Sequence, residues 1–339
     1  MRFSAGSIVA VVFACSLGAT AIGQSSNAAV ETHVAAAKKA AGQEWAGVFD
    51  RVCREAVPPA TPAAARTAPP APRPPGPPDR STWHAEPAKV FDNLYFLGQT
   101  EYSVWAVTTS EGIIIIDTIF DYSVEDEVVG GLKKLGLDPA KIKYVIVSHG
   151  HSDHSGGAKF LQDTFGARVI LSAADWDLLD RSTGTRPKRD IVATDGMKLT
   201  LGDTTLTLYV TPGHTLGTIS TLIPVKDNGT PHVVAEWGGT AFNWSGGSAA
   251  YITPERPAKF WYQTYSDSAR RFRDIAARAG ADIVIANHTI FDGSKTKLPA
   301  LRTRAAGQTH PYVIGKEGVL RYMTVVDECA QAGLAEASR

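Results

Sequence analysis

Residues 148–157, with the sequence SHGHSDHSGG, constrain this chain more than any other segment. They follow an apolar, strand-forming run and precede a stretch with helical character, which indicates a loop at the end of a buried strand. Histidine makes up only 9 of the 339 residues, yet three histidines and one aspartate stand here in HxHxDH spacing. We therefore interpret the segment as a metal-binding loop and not as a cluster of solvated histidines.

The spacing of these four residues suits two neighbouring metal ions. In extended backbone, side chains at alternate positions point the same way, so His149 and His151 can converge on one ion. Asp153 and His154 would then project towards a second. Imidazole and carboxylate are ordinary zinc ligands at roughly 2.0–2.2 Å, and a catalytic zinc ion keeps one coordination position open for water.

Two later histidines each follow a predicted strand. His214 stands in a TPGHT segment and His288 in an ANH segment. Alone, either one fits a hydrogen-bonded structural residue, but together they would give each ion three protein ligands, the number that a hydrolytic zinc ion needs. The other histidines have no such context and are interpreted as structural: His33, His84, His232 and His310.

From about residue 81 onwards, predicted strands and helices alternate, which indicates an α/β layered domain of about 250 residues. Strands are predicted at residues 93–98, 103–109, 112–117, 144–148, 168–172, 204–210, 232–235 and 282–286. Helices are predicted at residues 123–135, 155–165, 266–280 and 316–334. We therefore assign residues 81–339 to one catalytic domain.

Three segments precede this domain. Residues 1–23 have the basic start, apolar run and small-residue end of a secretory signal peptide. A short membrane anchor is an alternative, although the apolar run is shorter than the roughly 20 residues of a spanning helix, and a lipidation site at Cys15 is another. Residues 24–57 are predicted to be helical. Residues 58–80 are rich in proline and are predicted to be an extended linker, either without a function of its own or as a docking motif.

Cleavage of the signal peptide would place the protein in the periplasm or medium, with no stable membrane insertion. Only Cys53 and Cys329 would then remain, an even pair in an oxidising compartment. We predict a disulfide that joins the N-terminal segment to the C-terminal helix. Two buried free thiols are the alternative.

The charges of the chain argue against one class of partner. The 34 basic and 34 acidic residues cancel, so no electrostatic footprint indicates binding to nucleic acid or to an anionic membrane. We expect a small-molecule substrate that is selected by a local site. The oligomeric state does not follow from the sequence.

Four segments, in their order along the chain, resemble the metallo-β-lactamase superfamily. They are the GIIIID strand at residues 112–117, the SHGHSDHSGG loop, the TPGHT turn and the late ANH. The resemblance runs from about Trp83 to near Leu334. It implies an αββα four-layer sandwich with two zinc ions at one rim. It also implies that Asp117 supports the metal loop from outside the coordination sphere, where an ordinary cap of the strand end is the alternative. The implied ligands are His149, His151 and His214 for the first zinc ion, and Asp153, His154 and His288 for the second.

One departure narrows the resemblance. Glyoxalase-like and lactonase-like members carry a bridging aspartate in a GD dipeptide, but Gly239 stands at that position, and the nearby Glu236 does not fit the register. In lacking this carboxylate, the chain is similar to the third subclass of class B β-lactamases. Residues 268–279 and 311–313 also resemble that subclass, whereas residues 244–260 do not match it.

The resemblance implies a zinc-dependent hydrolase that opens the amide of β-lactam antibiotics and so confers antibiotic resistance. The nucleophile would be a metal-bound hydroxide, formed from a water whose pKa falls to about 7 between two ions. Asp153 would be the catalytic residue that orients this nucleophile and shuttles a proton. The alternatives are a related hydrolase of a lactone, ester or thioester, and a non-catalytic metal-binding interaction protein.

Overall fold

The computed structural model describes residues 18–57, 76–245 and 250–339, with side chains from residue 27 onwards. Residues 1–17 of the predicted signal peptide and residues 58–75 of the predicted linker lie outside the described part. No helix within the described part is both long enough and apolar enough to cross a membrane.

Two β-sheets form the centre of the fold. In the first, seven strands lie in sequence order, antiparallel from the first to the fourth and parallel from the fourth to the seventh. These strands are β1 (Ala88–Lys89), β2 (Leu94–Phe96), β3 (Trp105–Thr109), β4 (Gly112–Ile116), β5 (Ile142–Ile146), β6 (Arg168–Ser172) and β7 (Ile191–Ala193).

The second sheet has five strands, and its last strand pairs in parallel with the one before it, while the other pairs are antiparallel. Its spatial order is β12-β11-β10-β9-β8. These strands are β8 (Met197–Leu201), β9 (Thr204–Val210), β10 (Ile219–Asp227), β11 (Thr230–Trp237) and β12 (Ile283–Ala286).

Ten α-helices occur in the described part of the chain; α3, α5 and α6 cover the outer face of the first sheet, and α7 and α10 cover that of the second. A π-helical turn, Glu125–Val129, directly precedes the third of them. They are α1 (Gly18–Ala41), α2 (Ala46–Ala56), α3 (Gly130–Lys134), α4 (Ser152–Ser155), α5 (Ala158–Phe165), α6 (Ala173–Asp180), α7 (Ala258–Ala279), α8 (Thr289–Asp292), α9 (Ser294–Arg302) and α10 (Gly315–Glu336).

Strand β4 shows how four layers arise from this sequence. Successive side chains of a strand point to opposite faces of the sheet. Ile114 and Ile116 lie in the apolar core between the two sheets, whereas Ile113 and Ile115 lie in the core beneath α3, α5 and α6. A third core joins the outer face of the second sheet to α7 and α10. The αββα sandwich that the resemblance implied is therefore confirmed.

The structure differs from the predicted elements where long-range contacts decide. Strands β1, β7, β8 and β10 were not predicted, and β10 contains Pro224, a residue that is rare inside strands. Pro224 is tolerated because β9 pairs only with residues 219–222 of β10, so the missing N–H removes no bond to β9. Helix α7 begins at Ala258, eight residues before the predicted start.

The N-terminal helical segment consists of two helices, because α1 ends at Ala41, directly before Gly42, whose φ of +53° is unfavourable for other residues. Both helices pack against α10. Trp45 is fully buried there, its Nε1 donates a hydrogen bond to the carbonyl of Gly318 at 3.0 Å, and its ring contacts Tyr322. The segment is therefore part of the apolar core that contains α7 and α10.

A disulfide joins Cys53 in α2 to Cys329 in α10, as predicted, across a sequence separation of 276 residues. The two cysteines are buried in the same apolar core as Trp45. The bond thus fixes the N-terminal segment to the last helix of the domain.

We expect the double variant Cys53→Ser, Cys329→Ser to lose about 2–4 kcal/mol of unfolding free energy, because the unfolded chain regains the freedom of a long closed loop. Urea unfolding of the oxidised protein and of the variant measures the difference. Reductant should destabilise the wild type and leave the double variant unchanged. Equal stability of the wild type with and without reductant would contradict the bond.

Candidate metal centre

The predicted metal ligands lie together at one edge of the two sheets. The loop after β5 carries the first two histidines and leads into α4, whose first turn contains the aspartate and the next histidine. The connection from β9 to β10 carries another histidine, and the residue before α8 is the last. In chain order, these ligands are His149, His151, Asp153, His154, His214 and His288.

Three imidazole nitrogens converge in the first ligand group. Nε2 of His214 lies 3.0 Å from Nε2 of His149 and 3.2 Å from Nδ1 of His151. Four tetrahedral ligands at about 2.0–2.1 Å from a zinc ion stand roughly 3.3 Å apart, so these nitrogens have the spacing that one ion requires.

The second ligand group lies next to the first and contains a carboxylate. Nε2 of His154 is 3.2 Å from both Nε2 of His288 and Oδ2 of Asp153, and Nε2 of His288 is 3.6 Å from the same oxygen. The rings of His149 and His154 are 4.2 Å apart between centroids, which brings the two groups side by side. The structure thus assembles the same two groups that the resemblance implied.

Backbone carbonyls fix the orientation of the first group. Nδ1 of His149 lies 2.9 Å from the carbonyl oxygen of Gly238, and Nδ1 of His214 lies 2.7 Å from that of Ala241. Because a carbonyl only accepts, each Nδ1 carries the proton, and the lone pair of Nε2 faces the centre. The side chain of Asn287 donates to the same Gly238 carbonyl at 2.7 Å.

Asp117 performs the corresponding function for the second group. Its Oδ2 accepts from Nδ1 of His154 at 2.9 Å and from the hydroxyl of Ser148 at 2.8 Å, and its Oδ1 accepts from the Ser148 amide at 2.7 Å. This buried carboxylate therefore orients a ligand and holds the start of the metal loop. It is not itself part of either ligand group.

The electrostatics keep four of the histidines neutral, as metal binding requires. Burial, together with the neighbouring imidazoles, lowers the pKa of His149 and His214 well below the ordinary value. Burial likewise lowers the pKa of His151 to about 4 and that of His288 to about 3. Their lone pairs are available for coordination at neutral pH.

Asp153 and His154 form the charged part of the centre. Burial favours the neutral carboxyl, but His154 and His288 outweigh it and hold the pKa of Asp153 well below its usual range. Burial also opposes protonation of His154, yet the carboxylates of Asp153 and Asp117 raise its pKa to about 10. The aspartate is therefore ionised and can bind a cation, and His154 would release a proton when a metal ion binds.

Asp175, a buried residue of α6 that was not predicted as a site residue, connects two ligand loops. Its carboxylate accepts from the amide of Gly150 and the hydroxyl of Thr215, both at 2.8 Å, and from the amide of Gly217 at 3.0 Å. Burial raises the pKa of Asp175 to about 6. No sequence pattern distinguishes it from an exposed acid on a helix, so only the fold reveals it.

The position of the absent carboxylate is tightly packed. A Cβ atom on Gly239 would lie 2.5 Å from Cβ of His214, so a side chain there would displace a ligand. Glu236 is buried in β11 opposite Thr221 and belongs to neither ligand group. Among the described residues, neither group therefore gains a bridging carboxylate from this turn.

A cavity of about 340 Å³ opens onto both ligand groups. Asn243 lines the cavity, and Tyr251, which belongs to the stretch 244–260 that the sequence left unmatched, contacts a ligand in its lining. The hydroxyl of Tyr251 contacts Nε2 of His151, and Nδ2 of Asn243 lies 3.0 Å from Nε2 of His214. The centre thus has a place for a substrate directly beside the candidate ligands.

Comparisons with known proteins agree with this geometry. The sequence model of the metallo-β-lactamase superfamily matches residues 97–227. A hydroxyacylglutathione hydrolase of Acidiphilium cryptum is 34% identical over 82 residues, which are 24% of this chain and 31% of that protein. An N-acyl homoserine lactonase of a Bacillus species is 33% identical over 31% of this chain and 42% of its own length.

A metallo-β-lactamase domain-containing protein 1 of Xenopus laevis is 31% identical over 39% of this chain and 53% of that protein. The chain thus spans about half or less of the length of these curated relatives.

Solved structures match over a larger part of the chain. BJP-1, a subclass B3 metallo-β-lactamase of Bradyrhizobium japonicum, is 26% identical, with a TM-score of 0.61 over 75% of this chain and 95% of that one. Native FEZ-1 metallo-β-lactamase of Legionella gormanii, at 22% identity and a TM-score of 0.57 over 70% of this chain and 91% of its own, supports the fold. The chain is therefore similar to the metallo-β-lactamase superfamily over residues 97–227, and its fold is similar to that of the subclass B3 metallo-β-lactamase BJP-1.

Proposed function

We propose that the protein is an exported, zinc-dependent hydrolase that opens the amide of β-lactam antibiotics. The observation that carries this proposal is the pair of adjacent ligand groups, one of three histidines and one of an aspartate and two histidines, at a cavity. The similarity to the subclass B3 enzyme BJP-1 supports the same activity.

The chemistry divides between the ions and the side chains. When bound, two zinc ions would supply a Lewis acid for the substrate carbonyl and an acidified water as the nucleophile. Asp153 lines the cavity and is ionised, so its carboxylate can accept a hydrogen bond from the attacking water and hold it in line with the carbonyl. The same carboxylate can take the water's proton and pass it to the departing amide nitrogen.

The crowded turn at Gly239 favours a β-lactam over the alternatives. The glyoxalase-like and lactonase-like pattern places an aspartate there, and this chain has no room for its Cβ atom. A lactone or thioester substrate remains the second candidate, because curated relatives include a hydroxyacylglutathione hydrolase and an N-acyl homoserine lactonase. A non-catalytic role would fit an occluded cleft, whereas a cavity of about 340 Å³ opens onto the ligands.

Export to the periplasm or medium is part of the proposal. The signal-like residues 1–23 support it. The disulfide between Cys53 and Cys329 supports it as well, because such bonds persist in oxidising compartments. A role in antibiotic resistance would follow from the activity and this location together.

Substrate class is tested with a panel of penicillins, nitrocefin, a carbapenem, an acyl-homoserine lactone and an acyl-glutathione thioester. We expect turnover of the β-lactams, its loss on chelation because the nucleophile needs the ions, and its return with added zinc. Hydrolysis of the lactone or the thioester with no β-lactam turnover would refute the β-lactam assignment and support the second candidate.

Metal analysis of the purified protein should find about two zinc ions per chain. In His214→Ala, the first group loses one of its three ligands, so the content should fall to about one zinc. His33→Ala serves as the control, because His33 pairs with Glu328 outside both groups. Iron in place of zinc, or unchanged zinc in His214→Ala, would contradict the assignment.

Asp153→Asn should lower kcat by a factor on the order of 10²–10⁴, because the amide can neither take up the proton nor balance the charge of the centre. Circular dichroism should show an unchanged fold. Asp163→Asn is the control, because Asp163 is exposed and pairs only with Lys159 among the described residues. Wild-type turnover in Asp153→Asn would rule out its assigned function.

A further inference from the structure

The N-terminal segment contributes one residue to the cavity above the metal centre. Arg51 of α2 lines this cavity together with His151, Asp153 and His288. More than half of its side chain, 59%, is exposed. Helix α2 lies outside residues 97–227, the part of the chain that the family model matches. The N-terminal segment therefore adds a residue to the cavity from outside the matched part.

The position of Arg51 is held by three contacts of its helix. Nε of Arg51 pairs with Oε1 of Glu55 at 2.7 Å, and Oε2 of Glu55 accepts from the amide of Phe242 at 3.1 Å. The opposite face of α2 is buried, and the disulfide between Cys53 and Cys329 ties the helix to α10. The guanidinium is therefore anchored at the rim before any ligand arrives.

An anchored guanidinium suits a carboxylate. It carries five N–H donors in a planar fork, so a pairing through Nε is compatible with a second carboxylate on the other donors. Among the described residues that line the cavity, Arg51 is the single lysine or arginine. The acidic Glu101 at the same rim is paired with Lys295, which balances its charge.

Part of the cavity lining is apolar. Ile290 and Phe291 line it, and Ile290 is 40% exposed, one of two large hydrophobic residues that stand out in this way in the described chain. The cavity lining thus combines one guanidinium, an apolar part and four of the candidate metal ligands.

We propose that Arg51 binds a carboxylate of the substrate, so that the N-terminal helices complete the substrate site. The substrate class is an acyl compound that carries a carboxylate close to the scissile bond and an apolar group that rests on Ile290. This inference rests on the proposed function, because β-lactam antibiotics carry such a carboxylate next to the ring nitrogen.

Binding is tested first with slowed turnover. In the Asp153→Asn background, in which hydrolysis should be slower by a factor on the order of 10²–10⁴, calorimetry compares binding of benzylpenicillin with binding of its neutral methyl ester. Arg51→Ala should weaken binding of the acid by about tenfold, the loss of one charge-assisted hydrogen-bonded pair, and leave that of the ester unchanged. Arg54→Ala, at an exposed residue of the same helix outside the cavity lining, is the control.

Equal effects on acid and ester, or no effect on either, would overturn the inference. Arg51→Gln removes the charge and keeps the length, and Arg51→Lys should restore part of the affinity for the acid. These variants keep the test decisive if alanine destabilises the pairing with Glu55.

The active protein separates this inference from the proposed function. Arg51→Ala should raise KM for carboxylated substrates by about tenfold and change kcat much less, since a rim cation acts mainly in binding. If the wild type hydrolyses no β-lactam, the proposed function fails. Arg51 is then judged on carboxylated and neutral forms of the lactone or thioester that is hydrolysed, and a selective loss for the carboxylated form supports it.

Discussion

The close approach of three loops at one edge of the sandwich is the constraint on which the rest of the structure depends. Imidazole nitrogens of His149 and His214 lie 3.0 Å apart. This distance is maintained because buried side chains and backbone carbonyls form hydrogen bonds with the ligand loops. Asp117 and Asp175 hold the metal loop through its backbone amides. The carbonyl of Gly238 holds the ring of His149. This buried polar support lets a set of neutral imidazoles face one another without a hydrogen-bonded proton between them.

The candidate ligands could be predicted from the sequence because they are local. HxHxDH places four ligands within six residues, and the order of the TPGHT and ANH segments supplied the other two. The four layers followed from the resemblance, and β4, with isoleucines buried on both faces, fits them. The residues that support the ligands could not be found in this way. From the sequence, Asp175 cannot be distinguished from an exposed acidic residue. Its function exists only because α6 brings its carboxylate to two ligand loops.

The contacts of the N-terminal segment could not be predicted from the sequence either. The pattern of residues 24–57 predicted a helix, but it could not show that Trp45 inserts against Tyr322 or that α2 reaches the cavity. Trp45 and Tyr322 stand 277 residues apart in the chain, and Arg51 stands 100 residues before His151, the first candidate ligand in the cavity lining. The predicted disulfide was the one long-range link with a sequence signal, since only Cys53 and Cys329 remain after the predicted signal peptide. This disulfide holds the N-terminal segment close to the candidate site.

The central claim is that the two ligand groups hold two zinc ions beside each other. Anomalous diffraction at the zinc absorption edge, from crystals of the purified protein, tests it most directly. The account predicts two peaks, roughly 3.5–4 Å apart. One should lie about 2.0–2.2 Å from the nitrogens of the three-histidine group, and the other at a similar distance from Asp153, His154 and His288. A single peak, or zinc bound at other residues, would contradict it.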